Sequence, residues 1–200
     1  FTGGLTADYL AVHLPADASW AIAGRSRTKL VAVANRIAAT GRAVPEIVVA
    51  DGADAAQMAA MAQNTRVLIS TVGPYLRYGE PAVKAAVEAG IAYVDLCGEP
   101  QFVDLMWLKY HQTAEKTGAK LVHACGFDSV PYDLGVLATV NELPDDTAIN
   151  VKGYIRAKAS FSGGTFASAV NQFGQFRAAK AAAKQRRASE GRPADRRVRG

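Results

Sequence analysis

Short apolar segments alternate with helical segments over most of this sequence, and this alternation limits the folds that the chain can adopt. The apolar segments are rich in Val and Ile and lack the polar alternation of a strand with one solvated face. Such strands are typical of a parallel sheet covered by helices on both faces. The predicted strands span residues 20–23, 46–50, 66–71, 91–95 and 120–124. With right-handed crossovers, the pattern predicts an α/β domain with a doubly wound parallel sheet.

Helix start and stop signals separate these strands. Ser26 is a favourable N-cap, proline opens two helices, and glycine closes three of them, at positions 41, 90 and 118. The predicted helices span residues 5–14, 27–40, 53–63, 81–90 and 100–118, and a further helix begins near Pro131.

The predicted series has no strand at its beginning. Phe1-Thr2-Gly3-Gly4 has the composition of the end of a glycine loop, and the first helix follows it directly. In a doubly wound sheet, the strand before such a loop is central. We therefore expect that strand and the first glycines of the loop to lie upstream in a longer parent protein. We also expect the 200 residues alone to expose unpaired strand edges and to be unstable or to aggregate.

Arg25 stands directly after the predicted strand 20–23 and Gly24, 22 residues after Gly3. In dinucleotide-binding folds, the group that contacts the adenosine ribose lies about 20 residues beyond the glycine loop. An acidic residue there binds the 2′-hydroxyl of NAD, whereas the planar guanidinium of arginine suits the 2′-phosphate of NADP. The sequence therefore predicts NADP rather than NAD as cofactor. The alternative is a solvated loop cation.

Further candidate cofactor residues lie beyond the predicted strand ends, where open α/β sheets bind ligands. Thr2 and Gly3 would face the pyrophosphate at the first helix N-terminus. The remaining candidates are Ser26, Asp51, Thr71, Val72, Gly73, Pro74 and Tyr75. Tyr75 would stack on the cofactor or donate to it, or else be a surface tyrosine. Ordinary turn and capping chemistry is the alternative for any one of these segments.

Glu99 and Asp128 are the acids nearest the predicted crevice and are weak candidates for catalysis, with helix capping as the alternative.

His123 falls inside a predicted strand and is expected to be a satisfied core histidine. Cys97 and Cys125 are expected to be small buried residues rather than nucleophiles. We predict no metal site, because no histidine has a partner at ligand spacing.

The charge is concentrated at the C-terminal end. The net charge of the 200 residues is +5. Residues 177–200 hold nine of the 23 Lys and Arg residues but two of the 18 acids. The rest of the chain is therefore slightly acidic, and we predict no nucleic-acid partner. Binding of nucleic acid or an anionic membrane through the basic tail is the last-ranked alternative. A cytoplasmic location is expected, because two cysteines provide no disulfide framework and no apolar run approaches about 18 residues.

The alternation stops after Pro144. Residues 147–160 predict a longer strand, Ser162-Gly163-Gly164-Thr165 predicts a turn, and a helix begins at Thr165. We therefore predict a dinucleotide-binding domain over residues 1–146. Residues 147–200 would be the start of a second, α+β substrate domain, of which residues 186–200 form a mobile loop or linker.

Several segments together resemble the saccharopine dehydrogenase-like oxidoreductases, a family that includes bacterial trans-acting enoyl reductases of lipid biosynthesis. These segments are FTGG, AIAGRS, STVGPYLRYGEP, YVDLCGEPQF, LKYH and ACGFDSVPYDLG. The resemblance runs from Phe1 to about Gly135 and continues weakly through residues 162–165. It implies a Rossmann NAD(P)-binding domain in which Thr2 and Gly3 end a G-x-x-G-F-T-G loop. Arg25 and Ser26 match its ribose-phosphate position, and Thr71 to Tyr75 match its nicotinamide-side loop.

The function that this resemblance implies is NADP-dependent hydride transfer to or from an organic substrate, such as a lipid-linked enoyl group. The alternative is a non-catalytic NADP-binding or lipid-associated protein, because the sequence shows no obvious acid/base pair. The substrate is a small molecule or is lipid-linked. The sequence leaves open the direction of reaction, membrane or lipid association of the full-length protein, and homo-oligomer formation.

Overall fold

The computed structural model describes residues 1–144, 148–156 and 176–190. The elements follow in the order α1 (Thr2–His13), β1 (Ala21–Gly24), α2 (Arg27–Ala38), β2 (Glu46–Val49), α3 (Ala55–Ala62), β3 (Val67–Ser70), α4 (Tyr75–Tyr78), α5 (Glu80–Ala89), β4 (Ala92–Asp95), α6 (Pro100–Thr117), β5 (Lys120–Val122), α7 (Val130–Asn141) and α8 (Phe176–Ser189). Every predicted strand up to residue 124 forms, and helices separate the strands. The predicted α/β class is therefore confirmed.

The strands form two parallel sheets. β1 pairs with β2, and a second sheet has the order β3-β4-β5. Its register places Ser70 opposite Asp95 and Val94 opposite Val122, so these three strands end at one edge. Within the residues that the structure describes, no strand joins β1 to β3.

The main core lies where α3, α5 and α6 cover the three-stranded sheet. α5 buries most of one face, including Val83 and Val87, because its small and branched residues recur at helical spacing. Tyr93 from β4 and Phe102 from α6 are completely or almost completely buried in the same cluster. This core fixes the loops that follow β3 and β4.

A smaller packing unit positions the loop after β1. Ser26 caps α2 as predicted, because its hydroxyl accepts a hydrogen bond from the Lys29 amide at 3.4 Å. Leu30, Ala34 and Ile37 form the buried stripe of this helix. α1 packs on α2, and the Asp8 carboxylate binds the Arg36 guanidinium through both oxygens at 2.9 Å.

The C-terminal predictions need correction. Residues 148–156 form no strand, although the sequence predicts one over 147–160, and apolar side chains such as Ile155 are exposed without a strand partner. α8 continues to Ser189, so the first residues of the loop predicted from Arg186 are helical, and residues 191–200 of that prediction lie outside the described residues. The helix continues because Arg186 packs on α6, with its guanidinium 3.0 Å from Asp104 and over the ring of Trp107.

Other predictions for this region fall outside the described residues. These are the turn at residues 162–165, the beginning of the helix predicted from Thr165, and the domain boundary at residue 146. In the described ranges, no helix is both long enough and apolar enough to cross a membrane.

Candidate functional site

The ends of β1, β2 and β3 and the first turn of α1 lie along one edge of the molecule. A Cβ placed on Gly3 would lie 3.0 Å from Oγ1 of Thr71, and one placed on Gly52 would lie 3.6 Å from Cγ1 of Val72. The Ala50 amide donates to the Gly24 carbonyl at 3.1 Å. Most of the segments predicted from the sequence to bind cofactor are therefore neighbours in the structure.

Arg25 extends from this edge into solvent, directly after β1. It lines a shallow pocket with its neighbours Gly24, Ser26, Lys29 and Leu30. Among the described residues, no carboxylate lies within 4.0 Å of its guanidinium, so two basic side chains share a surface without an acidic partner. A phosphate group fits this charge and the planar donor geometry of arginine.

The first turn of α1 supplies a second anion-binding feature. Phe1 is the N-cap residue and offers no side-chain hydrogen bond to the helix, so the partial positive charge of the N-terminus remains available. A side chain at position 3 would meet Thr71 at less than normal van der Waals distance. Gly3 therefore allows the helix start to approach the loop after β3, as a pyrophosphate-binding turn requires.

In the loop after β3, the side chain of Tyr75 is buried in the protein. Tyr75 is 5% exposed, its hydroxyl donates to the Ser70 carbonyl at 3.0 Å, and its ring packs against Phe102. The surface alternative for Tyr75 is therefore wrong, and its hydroxyl is already bonded to the protein. Val72 and Gly73 are exposed, so the backbone of this loop is what a cofactor can reach.

Glu99 is buried, and its carboxylate lies at the N-terminus of α4. Its two oxygens accept hydrogen bonds from the Tyr75 and Leu76 amides at 2.8 and 2.9 Å. Capping is thus its observed contact, although the helix that it caps is α4 rather than α6, which begins beside it. This arrangement holds the loop that contains Gly73 and Pro74.

The other predicted acids lie apart from one another. Oδ1 of Asp51 accepts from the Ala53 amide at 3.0 Å, which stabilises the turn after β2. Asp128 is exposed in the turn before α7. The structure therefore does not pair Asp128 with Glu99 as an acid and base.

A buried carboxylate–imidazole pair at the same edge was missed by sequence reasoning. Asp95 is the last residue of β4, and its Oδ2 lies 2.7 Å from Nδ1 of His123, which follows β5. Its Oδ1 accepts from the amides of Cys97 and Ala124 at 3.0 and 3.1 Å. The Asp95 side chain is inaccessible to solvent, while that of His123 keeps 12% of its surface exposed.

These contacts decide the charge of Asp95. Burial alone would raise its pKa, but the hydrogen bond from His123 and the two backbone donors outweigh burial and hold the pKa below its usual value. The expectation of a satisfied core histidine inside a strand is wrong, because β5 ends at Val122 and His123 follows it, bonded to Asp95 through Nδ1 and 12% exposed. The signal available in the sequence was that Asp95 ends one predicted strand and His123 lies one residue before the end of the next.

The cysteines divide into two environments. Cys97 is buried as expected, and burial raises the pKa of its thiol to about 12, so it carries little nucleophilic thiolate. Cys125 is exposed, contrary to expectation, because β5 ends at Val122 and the chain has already left the sheet.

Comparisons with known proteins identify the family of this chain. Residues 1–122 match the family model of the saccharopine dehydrogenase NADP-binding domain. A Mycobacterium tuberculosis protein named "Putative trans-acting enoyl reductase" is 44% identical over 172 residues, which are 84% of this chain and 41% of that protein. The saccharopine dehydrogenase-like oxidoreductase of Rattus norvegicus is 40% identical over 165 residues, which are 78% of this chain and 38% of that protein.

A lipid droplet localized protein of Caenorhabditis elegans is 44% identical over 140 residues, which are 68% of this chain and 33% of that protein. The chain thus spans about two fifths or less of the length of these relatives. Among solved structures, the apo L-Glu-forming saccharopine dehydrogenase of Saccharomyces cerevisiae has a TM-score of 0.57 at 18% identity. That match covers 70% of this chain and 28% of the yeast chain, and it supports the fold alone.

The residues present fit the cofactor that the family uses. Arg25 and Lys29 form an exposed basic surface after β1, and Gly3 brings the first turn of α1 against the loop after β3. The family model covers all of these residues. The chain therefore belongs to the saccharopine dehydrogenase family of NADP-binding oxidoreductases, and NADP is its cofactor.

Proposed function

We propose that the full-length protein uses NADPH to reduce a carbon–carbon double bond next to a carbonyl group, in a lipid-linked enoyl substrate. The observation that carries this proposal is the 44% identity, over 84% of this chain, to the Mycobacterium tuberculosis relative named for enoyl reduction. The enoyl group comes from the name of that relative, and the lipid linkage is the expectation that follows from the family resemblance.

The site geometry supports the cofactor half of the proposal. Arg25 would hold the 2′-phosphate, the first turn of α1 would hold the pyrophosphate, and the loop with Val72 and Gly73 would border the nicotinamide. A nicotinamide at that point would lie beside the ends of β3 and β4. Binding and orientation are then tasks of the protein, while the cofactor supplies the hydride.

Steady-state NADPH oxidation by the full-length protein tests this proposal. Enoyl thioesters of increasing acyl length serve as substrates, and the matched saturated thioesters serve as controls. We expect NADPH consumption with the enoyl series only, with the saturated thioester as product. NADPH binding without consumption of any enoyl thioester would contradict the proposal.

A second candidate function is that of a non-catalytic NADP-binding protein associated with lipid. The observation that favours it is the similarity to the lipid droplet localized protein of Caenorhabditis elegans. α7 has no buried residue and exposes Val130, Leu134 and Leu137, which is an apolar surface available for contact. Flotation of the full-length protein with phospholipid-coated oil droplets, with and without NADPH, tests this candidate. Droplet binding together with no enoyl turnover would favour it.

A further inference from the structure

We propose that His123, oriented by Asp95, exchanges the proton that accompanies hydride transfer in this site. This inference rests on the proposed reductase function and adds the acid–base residue that the sequence analysis did not find. The pair lies outside every segment assigned to cofactor binding.

The position of the pair is fixed by the register of the three-stranded sheet. Ser70 and Asp95 are opposite each other at the ends of β3 and β4, and Val122 ends β5 one residue before His123. The loop that borders the nicotinamide position begins at Thr71, directly after Ser70. His123 therefore stands two strands away from that loop, on the same carboxyl edge where open α/β sheets bind ligands.

The orientation of the imidazole leaves one nitrogen for chemistry. Nδ1 lies 2.7 Å from the Asp95 carboxylate, and the ring packs edge-on against Tyr93 and Phe102, with centroids 5.8 and 5.7 Å away. Among the described residues, Nε2 has no hydrogen-bond partner. A carboxylate on Nδ1 fixes the tautomer and the orientation of the ring, so Nε2 is the nitrogen that can exchange a proton with a substrate.

The backbone around the pair is held in an unusual conformation. Ala124 has a φ of 59°, in the left-handed region that non-glycine residues rarely adopt. Its amide donates to Asp95 Oδ1, and the following Cys125 amide donates to the Asp95 carbonyl at 2.6 Å. Such strain clusters at functional sites, where the surrounding contacts maintain it. Here it turns the chain so that Asp95 receives two backbone donors beside His123.

The remaining titratable groups near the pair are poorly suited to exchange protons at neutral pH. Burial raises the pKa of Tyr93 and Tyr75, and the charge of Asp95 raises it further. Burial also raises the pKa values of Cys97 and Cys125. Glu99 faces the amides of α4. His123 differs from these groups because part of its ring is exposed and its Nε2 has no hydrogen-bond partner among the described residues, so it is the group of this cluster suited to the task.

Bound NADPH would supply a hydride to the carbon β to the carbonyl, so that a C–H bond would form there, the C=C π bond would break and an enolate would remain. The α-carbon of the enolate then takes the proton of protonated His123 at Nε2. The products are the saturated acyl group, NADP⁺ and a neutral imidazole, which water reprotonates while Asp95 stays ionised.

The test compares full-length His123→Gln with wild type and with the control His111→Gln, a half-exposed histidine on α6. We expect His123→Gln to lower kcat by about 100- to 10,000-fold, the range of general acid catalysis, with NADPH affinity changed less than about twofold. The pH profile of kcat should also change. Wild type should be more active in its acidic form, and His123→Gln should lack this preference. His111→Gln should behave as wild type. An unchanged kcat and pH profile in His123→Gln would overturn the proposal.

A second readout is independent of turnover and of the variant's folding. Wild-type protein is treated with diethyl pyrocarbonate, which acylates accessible imidazole nitrogens, with and without NADP⁺, and each histidine is followed by mass spectrometry. We expect NADP⁺ to protect His123 and not His111. Equal modification of His123 in both samples would overturn its placement at the cofactor. Protection of His123 together with no turnover of any enoyl thioester would instead overturn the proposed reductase function.

Discussion

Arg25 is the residue on which the cofactor preference depends. Its guanidinium is exposed, lies beside Lys29 and has no acidic partner among the described residues. We predict that Arg25→Ala weakens NADPH binding by about 10- to 100-fold, since a charge-assisted hydrogen bond contributes about 1.5–3 kcal/mol. NADH lacks the 2′-phosphate, so its affinity should change little. Titration of each nucleotide against the full-length protein, monitored by its fluorescence, measures both values.

The matched control for this prediction is Arg42→Ala. Arg42 is also exposed, but it stands in the loop between α2 and β2, away from the end of β1. It tests whether loss of any surface cation weakens nucleotide binding through the net charge. An equal loss of NADPH and NADH affinity in Arg25→Ala would contradict a 2′-phosphate contact.

Asp95 should make stability depend on pH in the acid range. Its pKa is lower in the folded protein than the unfolded value of about 3.9, so the ionised form stabilises the fold. This contribution is complete above the unfolded pKa and is lost as pH falls through the folded pKa. We predict that Asp95→Asn lowers the free energy of unfolding by about 3 kcal/mol at neutral pH, and that its difference from wild type shrinks below about pH 4. Urea unfolding at several pH values measures this.

Asp8→Asn is the control for that experiment. Asp8 also pairs with a cation, Arg36, but both side chains are about half exposed. Exposed ion pairs contribute about 0–1 kcal/mol, so the control should lose little stability at neutral pH. A difference between Asp95→Asn and wild type that stays constant down to the acid unfolding range would contradict the role of the Asp95 carboxylate.

At the scale of elements, α5 and α6 each end at a glycine with a left-handed backbone. A comparison of alanine substitutions at the two positions distinguishes the cost of backbone strain from the cost of steric contact. Gly90 and Gly118 have φ values of 69° and 78°. A Cβ at position 118 would meet no atom within 4 Å, whereas one at position 90 would lie 2.8 Å from the Thr117 carbonyl oxygen. We predict that Gly118→Ala costs about 1 kcal/mol through strain alone. Gly90→Ala should cost about 1–3 kcal/mol more, because α6 must shift.

Thermal or urea unfolding of the two variants against wild type gives the comparison directly. Both variants place alanine at a left-handed helix end, so the backbone strain cancels when their free energies of unfolding are subtracted. The remainder reports the steric contact at position 90. Equal destabilisation of both variants would show that the Thr117 carbonyl moves away easily and that the close packing of the α5 end against the α6 end contributes little.

The bounds of these helices follow from local signals, which is why the sequence could predict them. Gly90 and Gly118 end their helices where predicted, and Ser26 caps α2 through its own hydroxyl. α4 was not predicted, because its N-terminus is stabilised by the carboxylate of Glu99, more than twenty residues later in the chain. A cap supplied from another segment leaves no pattern at the helix itself.

At the scale of the whole chain, contacts between distant segments account for the remaining differences. Asp95 and His123 meet because β4 and β5 are parallel neighbours in register, which a single sequence does not specify. Residues 148–156 have an apolar pattern but no strand to pair with in the described structure. α8 extends beyond its prediction because Arg186 binds Asp104 on α6, 82 residues earlier in the chain. Such contacts override local composition.

The separation of the sheets predicts the behaviour of residues 1–200 when they are produced alone. β1 and β2 pair only with each other among the described strands, and β3 exposes Val67 and Ile69 to about half of their surface. A two-stranded sheet is marginal in water, and an unpaired apolar edge favours association between chains. We predict that the isolated 200 residues show no single cooperative unfolding transition and scatter light on heating, whereas the full-length protein unfolds cooperatively.

Circular dichroism and light scattering recorded during one temperature ramp test this prediction. Ile69→Lys in the isolated 200 residues provides the mechanistic control, because a charge on β3 opposes edge-to-edge pairing without restoring a missing strand pair. That variant should scatter less light but still lack a cooperative transition, since its two sheets remain unjoined. A sharp transition in the unmodified 200 residues would mean that packing of α3 against α5 joins the two sheets firmly enough for an independent fold. The pairing of β1 with β3 through a further strand would then be unnecessary for stability.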